Sequence, residues 1–158
     1  MKVRIQTLWK VPVYCAAASW ISFYLTVYLG GPFFLIRTVG ADGGTQVSVD
    51  PVRSAIFEAT LFLIVLLVGG LWVFRSMSKA EIGVSAGIAA GIYLLIVLAQ
   101  LYISDFPLSL SMTLAYIQDW TGTLASFLMK LTDNLTISVI LSSFAPLLFL
   151  PFGRKRDT

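Results

Sequence analysis

Residues 82–103, IGVSAGIAAGIYLLIVLAQLYI, run for 22 positions without one formal charge. As a helix rising about 1.5 Å per residue, this run covers roughly 33 Å, enough to cross a hydrocarbon core of about 30 Å. Its first half carries Gly83, Gly87 and Gly91 at four-residue spacing, with Ala86 and Ala90 beside them. Positions four apart share one helical face, and a face without side chains lets a neighbouring backbone approach closely. The feature therefore demands a membrane-spanning helix with a packing surface, and the rest of the chain has to supply its neighbours.

Three more apolar runs do so. Hydrophobic residues make up 58% of the chain and charged residues only 12%, against about a quarter charged in ordinary soluble domains. The expected fold is all-α: four transmembrane helices in an antiparallel bundle plus an outer interfacial amphipathic helix. One membrane domain uses the whole of residues 1–158.

The first span is expected at 11–30, after a basic lead with Lys2, Arg4 and Lys10. A basic lead before an apolar run also describes a signal peptide, but this apolar run is too long for one, so an uncleaved helix is expected. Gly30-Gly31-Pro32 should end it, because proline disfavours helix in the preceding residue. An outer loop follows at 31–50; its β-prone runs allow a small hairpin around residues 40–44, with an irregular loop preferred because isolated hairpins are marginal.

Asp50-Pro51 reads as a cap and first turn, opening a second span at 51–74. Gly69 and Gly70 near its far end are expected to pack on the Gly83, Gly87, Gly91 ladder. Ser78-Lys79-Ala80-Glu81 is a capping box, with Met77 and Ile82 at the positions of a hydrophobic staple. It starts a third span at 79–103 and makes spans two and three a hairpin.

Residues 113–152 as one helix would be about 60 Å long, twice what a bilayer holds. The break is expected at 119–122 or 132–134. Placing it at the latter gives an outer loop at 104–133 whose amphipathic helix turns Leu114, Ile117, Leu124, Phe127, Leu128 and Leu131 to one face. The fourth span is then 134–152, kinked at Pro146 with Ser142 or Ser143 serving the freed carbonyl, and a cytoplasmic tail occupies 153–158. The rival placement starts this span at Trp120 and immerses Lys130 and Asp133.

Charge sets the expected orientation. Eight of the eleven basic residues, Lys2, Arg4, Lys10, Arg75, Lys79, Arg154, Lys155 and Arg156, fall on one side of the four-span arrangement. Both termini are accordingly expected in the cytoplasm of a cell, most simply a bacterial one.

Enzyme chemistry finds no foothold. The chain has no histidine and a single cysteine, Cys15, so the usual metal and haem ligands are missing and no cofactor or metal site is expected. There is no Gly-x-Ser-x-Gly, no phosphate loop and no Cys-x-x-Cys of the kind quinone-reducing disulfide enzymes use. The first helix also lacks the buried glutamate of small multidrug exporters. The net charge of +3 sits at segment ends and does not suit nucleic acid.

Two expectations remain. One is a non-enzymatic accessory or interaction subunit, with the bilayer and a second copy or another membrane protein as partners. The other is a component of a small oligomeric transporter or channel, built on a polar network of Glu58, Lys130 and Asp133.

Overall fold

The computed structural model describes residues 4–39, 44–103 and 107–154. Asp42, Asp105, Lys2, Lys155 and Arg156 lie outside those residues. Four helical stretches are long and apolar enough to cross a membrane: Ile5–Phe34, Pro51–Val73, Lys79–Tyr102 and Leu135–Phe152. These mark a membrane-embedded, mostly helical protein.

The first stretch opens with a 3-10 turn, Ile5–Thr7, followed by α1, Lys10–Leu25. Contrary to expectation, Gly30-Gly31-Pro32 does not end it. The chain passes through a π-turn, Thr26–Gly30, directly into the short helix α2, Gly31–Phe34, with Gly30 and Gly31 both in the right-handed helical region. A wide π-turn relaxes the hydrogen-bond register just where proline has no N–H to offer.

The segment after α2 is a hairpin rather than an irregular loop. Strand β1, Leu35–Val39, pairs antiparallel with β2, Thr45–Val49, in the register Leu35↔Val49. Asp50 N–H donating to Phe34 carbonyl at 2.8 Å closes its base. Both ends are therefore anchored to helices, which a free hairpin lacks.

Helix α3, Pro51–Val68, is capped by Asp50, whose carboxylate accepts from the N–H groups of Val52 and Arg53 at 2.9 and 3.2 Å. It runs on as a π-turn, Gly69–Val73. Helix α4, Lys79–Tyr102, begins with the capping box: Ser78 Oγ accepts from Glu81 N–H at 3.3 Å, and a Glu81 carboxylate oxygen accepts from Ser78 N–H at 2.9 Å. Met77 and Ile82 are both fully buried beside it.

The glycines find other partners than expected. A Cβ on Gly69 would stand 2.7 Å from the rings of Tyr14 and Phe149, and one on Gly70 would collide with Phe152. These two glycines therefore seat α1 and the C-terminal segment, not α4. On α4 the inward ridge is Ser85, Ala86, Ala89, Ala90, Tyr93 and Val97. Gly83 meets only Leu150, and Gly87 and Gly91 have nothing within 4 Å of where a Cβ would be. The reason is rotational: Ala86 and Ala90 turn inward, one position round the helix from the glycines, and α4 packs on α1 and the C-terminal segment.

Helix α5, Leu108–Thr132, is 25 residues long and ends at Asp133, whose φ of 50° reverses the chain. Asn134 then caps α6, Leu135–Ser142, by accepting from Ile137 N–H at 3.1 Å. The residues expected to share one apolar face do not share one environment. Ile117 and Leu124 pack on the core, and Trp120 and Thr121 are buried, but Phe127 and Leu131 are 58% and 68% exposed. A lipid-facing side can be as oily as a core-facing one, so apolar spacing alone does not separate them.

Pro146 does not kink a continuous α-helix. The chain leaves α6 at Ser142 and continues as a 3-10 segment, Ala145–Phe152, that holds both Pro146 and Pro151. Ser142 and Ser143 hydroxyls both donate to Val139 carbonyl, at 2.8 and 3.2 Å. That carbonyl belongs to the end of α6, one turn before the group Pro146 would free.

The centre of the bundle is aromatic. Phe74 and Phe149 lie edge to face at 4.9 Å, Tyr14 meets both at 5.2 and 5.8 Å, and Phe149 leads on to Trp120 at 5.8 Å. Trp120 in turn stacks on Phe62 at 5.5 Å. Among the described residues every buried side-chain nitrogen and oxygen has a hydrogen-bond partner. Ser85 illustrates the economy: its hydroxyl donates to Leu8 carbonyl at 2.6 Å and accepts from Val11 N–H at 3.1 Å, satisfying a donor at the start of α1.

Candidate functional site

Three helices of this otherwise oily bundle each carry a short polar stripe. On α1 and its π-turn it is Ser19, Ser22 and Thr26; on α3, Ser54 and Glu58; on α5, Asp119, Gly122, Thr123 and Ser126. The spacings are three and four, so each stripe lies along one face. Helices α1 and α5 pack together and α3 closes on α5, which brings the stripes to one place.

They line a cleft of about 230 Å³, bounded by Ser22, Thr26, Glu58, Asp119, Thr123 and Ser126 with Phe62 and Trp120 as aromatic wall. Glu58 is half-buried, and its carboxylate accepts from Ser54 Oγ at 3.0 Å. Thr123 hydroxyl reaches Glu58 carbonyl at 3.4 Å, tying α5 to α3 beside the acid. Gly122 also lines the cleft, and a Cβ there would meet no heavy atom within 4 Å.

Trp120 fixes the register of α5. Its ring is 2% exposed, and its indole N–H donates to Tyr93 hydroxyl at 3.3 Å. Gln118 amide donates to Tyr93 carbonyl at 3.2 Å, and Gln100 amide to Ser111 carbonyl at 3.3 Å. With those anchors in place, Asp119 is turned into the cleft toward Glu58.

The electrostatic result is two carboxylates sharing one recess. Asp119 is pushed from an ordinary value of 3.8 up to about 6, first by burial and then by the negative charge of Glu58. A carboxyl in that range exchanges its proton near neutral pH, and two acids across a small polar cleft favour a cation or a shared proton between them.

The expected network of Glu58, Lys130 and Asp133 is not what the fold assembles. Glu58 is in the cleft, but Lys130 and Asp133 are both exposed, at the last turn and the C-cap of α5. Among the described residues neither forms an ion pair. Asp119 takes their place. Its signal was present in the sequence as the three-and-four spacing of residues 119, 122, 123 and 126.

The opposite end of the bundle holds a second set of charges. Arg4 pairs with Glu81 at 2.8 Å, and Glu81 is 1% exposed. Ser78 and Arg154 form a parallel bridge that pins the C-terminal segment to the start of α4. Arg4, Lys79 and Arg154 thus gather at one end, and Arg75 lines a cleft together with Arg154. Glu81 was legible as a capping residue, but its pairing with a residue 77 positions away was not.

No family model, curated protein or solved structure matches this chain. Among the described residues no group of three or more acidic or cysteine side chains is placed to hold a metal ion.

Proposed function

We propose that this chain is a non-enzymatic component of a small cation- or proton-coupled transporter in the cell membrane. The reading includes four antiparallel crossings, α5 as an outer interfacial helix that sends Trp120 into the bundle, and cytoplasmic termini in a bacterial plasma membrane. The observation that carries it is the pairing of Glu58 and Asp119 across one polar cleft. Glu58 belongs to a candidate span, and an ionisable residue there is costly unless it serves a solute or proton path. The volume of about 230 Å³ suits a hydrated monovalent cation or a small protonated amine.

The test is a flux assay on the full chain in liposomes, with an imposed cation gradient and an internal pH dye. Wild-type protein should couple cation entry to proton exit, and Glu58→Gln or Asp119→Asn should reduce the rate at least tenfold while leaving assembly intact. Equal rates for wild type and both variants would remove the transport reading.

A second reading, an interaction subunit, is favoured by the open face at Gly87 and Gly91. Close approach by a helix of another subunit, or of a second copy, needs just such uncovered glycines. Gly87→Leu and Gly91→Leu should leave the melting temperature of the monomer within about 2 °C of wild type and abolish self-association by crosslinking in membranes. Gly69→Leu should instead destabilise the monomer itself, because Tyr14 and Phe149 already fill that space. Unchanged crosslinking in both α4 variants would show that the face meets only lipid.

A further inference from the structure

A second cleft, of about 440 Å³, opens at the end of the bundle opposite the two acids. It is lined by Gly70, Leu71, Trp72, Arg75, Phe152 and Arg154. Its two arginines come from different parts of the chain. Arg75 follows the π-turn that ends α3's span, and Arg154 follows the C-terminal 3-10 segment.

Arg154 is held there by its backbone. Its N–H donates to Met77 carbonyl at 3.1 Å, and its carbonyl accepts from Lys79 N–H at 3.2 Å. Gly153 permits this approach: a Cβ on it would stand 2.6 Å from Lys79 Cα. The fold thus fixes the root of Arg154 beside Arg75 and leaves its side chain exposed.

Both guanidinium groups are without a hydrogen bond or ion pair to the described residues. Among the described residues the carboxylate nearest in the chain to Arg75, that of Glu81, is already taken up by Arg4 and by the capping box. Two unpaired guanidiniums on one recess with no acid in its lining make a site for an anion, and their planar forks suit a phosphate.

The remaining lining says which phosphate. Leu71 and Phe152 are apolar, and Trp72 is 80% exposed at the very end of the span Pro51–Val73. An indole at that level is the usual companion of lipid headgroups. Free phosphate gains nothing from such walls, whereas a phospholipid fills them with its glycerol and the first methylenes of its chains.

We propose that the Arg75–Arg154 cleft binds the headgroup phosphate of an anionic phospholipid, with Trp72, Leu71 and Phe152 holding the glycerol and upper acyl region. This is a specific site, distinct from the diffuse attraction of basic residues to an anionic surface. It is independent of the acidic cleft and of the transport reading.

The test uses the full chain in a neutral detergent, titrated with short-chain phosphatidylglycerol, short-chain phosphatidylcholine or inorganic phosphate, and read by melting temperature. Phosphatidylglycerol should raise the midpoint and the other two should not. Arg75→Gln and Arg154→Gln should each weaken the apparent affinity about tenfold, and Arg75→Lys should restore part of it. Lys10→Gln removes the same charge at the same end of the bundle, outside this cleft, and should leave the affinity within twofold.

Three results would overturn the proposal. One is the absence of any stabilisation by phosphatidylglycerol in the wild type, and another is an equal effect of inorganic phosphate. The third is a loss in Lys10→Gln as large as that in Arg75→Gln, which would reduce the effect to general surface charge. Because the wild type and Lys10→Gln carry the comparison, the outcome stands even if one arginine variant folds poorly.

Discussion

Replacing Trp120 by alanine is expected to lower the melting temperature of the detergent-solubilised protein by about 10 °C. The indole is 2% exposed and touches three elements at once: it stacks on Phe62, lies 5.8 Å from Phe149, and donates to Tyr93 hydroxyl. Truncating so large a buried ring leaves a cavity and costs about 3–5 kcal/mol in well-packed cores. For a chain of this size each kcal/mol shifts the midpoint by roughly 2–4 °C. Trp120→Phe should lose much less, mainly the hydrogen bond to Tyr93, worth about 1 kcal/mol. Trp72→Ala, at a site 80% exposed, is the control and, in neutral detergent with no lipid added, should change almost nothing. If Trp120→Ala melts alongside the Trp72 variant, the assignment of Trp120 as the keystone of α5 fails.

Asp119→Asn should have the opposite sign, and only at the right pH. The folded protein holds the Asp119 carboxyl at about 6, above its ordinary 3.8, so folding favours the protonated form. That contribution is fully present below about pH 4 and is lost as the pH rises through about 6. Asparagine does not titrate. The variant should therefore be more stable than wild type at pH 7.5, with the difference shrinking to nothing by pH 4. Glu58→Gln should narrow the same window, since the charge of Glu58 is the second cause of the shift. Melting curves across that range decide the matter, and a gap that is constant with pH would mean that Asp119 is not held in the cleft as described. Asp119 is only half-buried, so solvent screening reduces the size of the effect without changing its direction.

These two experiments also separate stability from function. Trp120→Ala attacks the packing that orients α5, while Asp119→Asn leaves the packing and removes one charge. A loss of flux in Asp119→Asn accompanied by a gain in stability at neutral pH would mark a residue kept for its chemistry despite its cost to the fold.

Local chemistry in the chain was legible from the residues alone. Ser78 and Glu81 cap α4 because the two groups that bond are three residues apart, and Asp50 caps α3 for the same reason. Four apolar stretches reach spanning length because oiliness and length can be counted along the chain. That residues 113–152 must break follows from the impossibility of a helix about 60 Å long in a bilayer, and of the two places the sequence offered, 119–122 and 132–134, the helix ends at the second. What only the tertiary structure decided is how each helix is rotated. Gly87 and Gly91 face outward while Ala86 and Ala90 face in, Gly69 seats Tyr14 rather than α4, and Asp119 rather than Lys130 meets Glu58. In water, a polar side and an apolar side tell a helix which way to turn. In lipid both sides are oily, so rotation is settled by close packing and a few hydrogen bonds between residues far apart in sequence, and no window of neighbouring letters contains them.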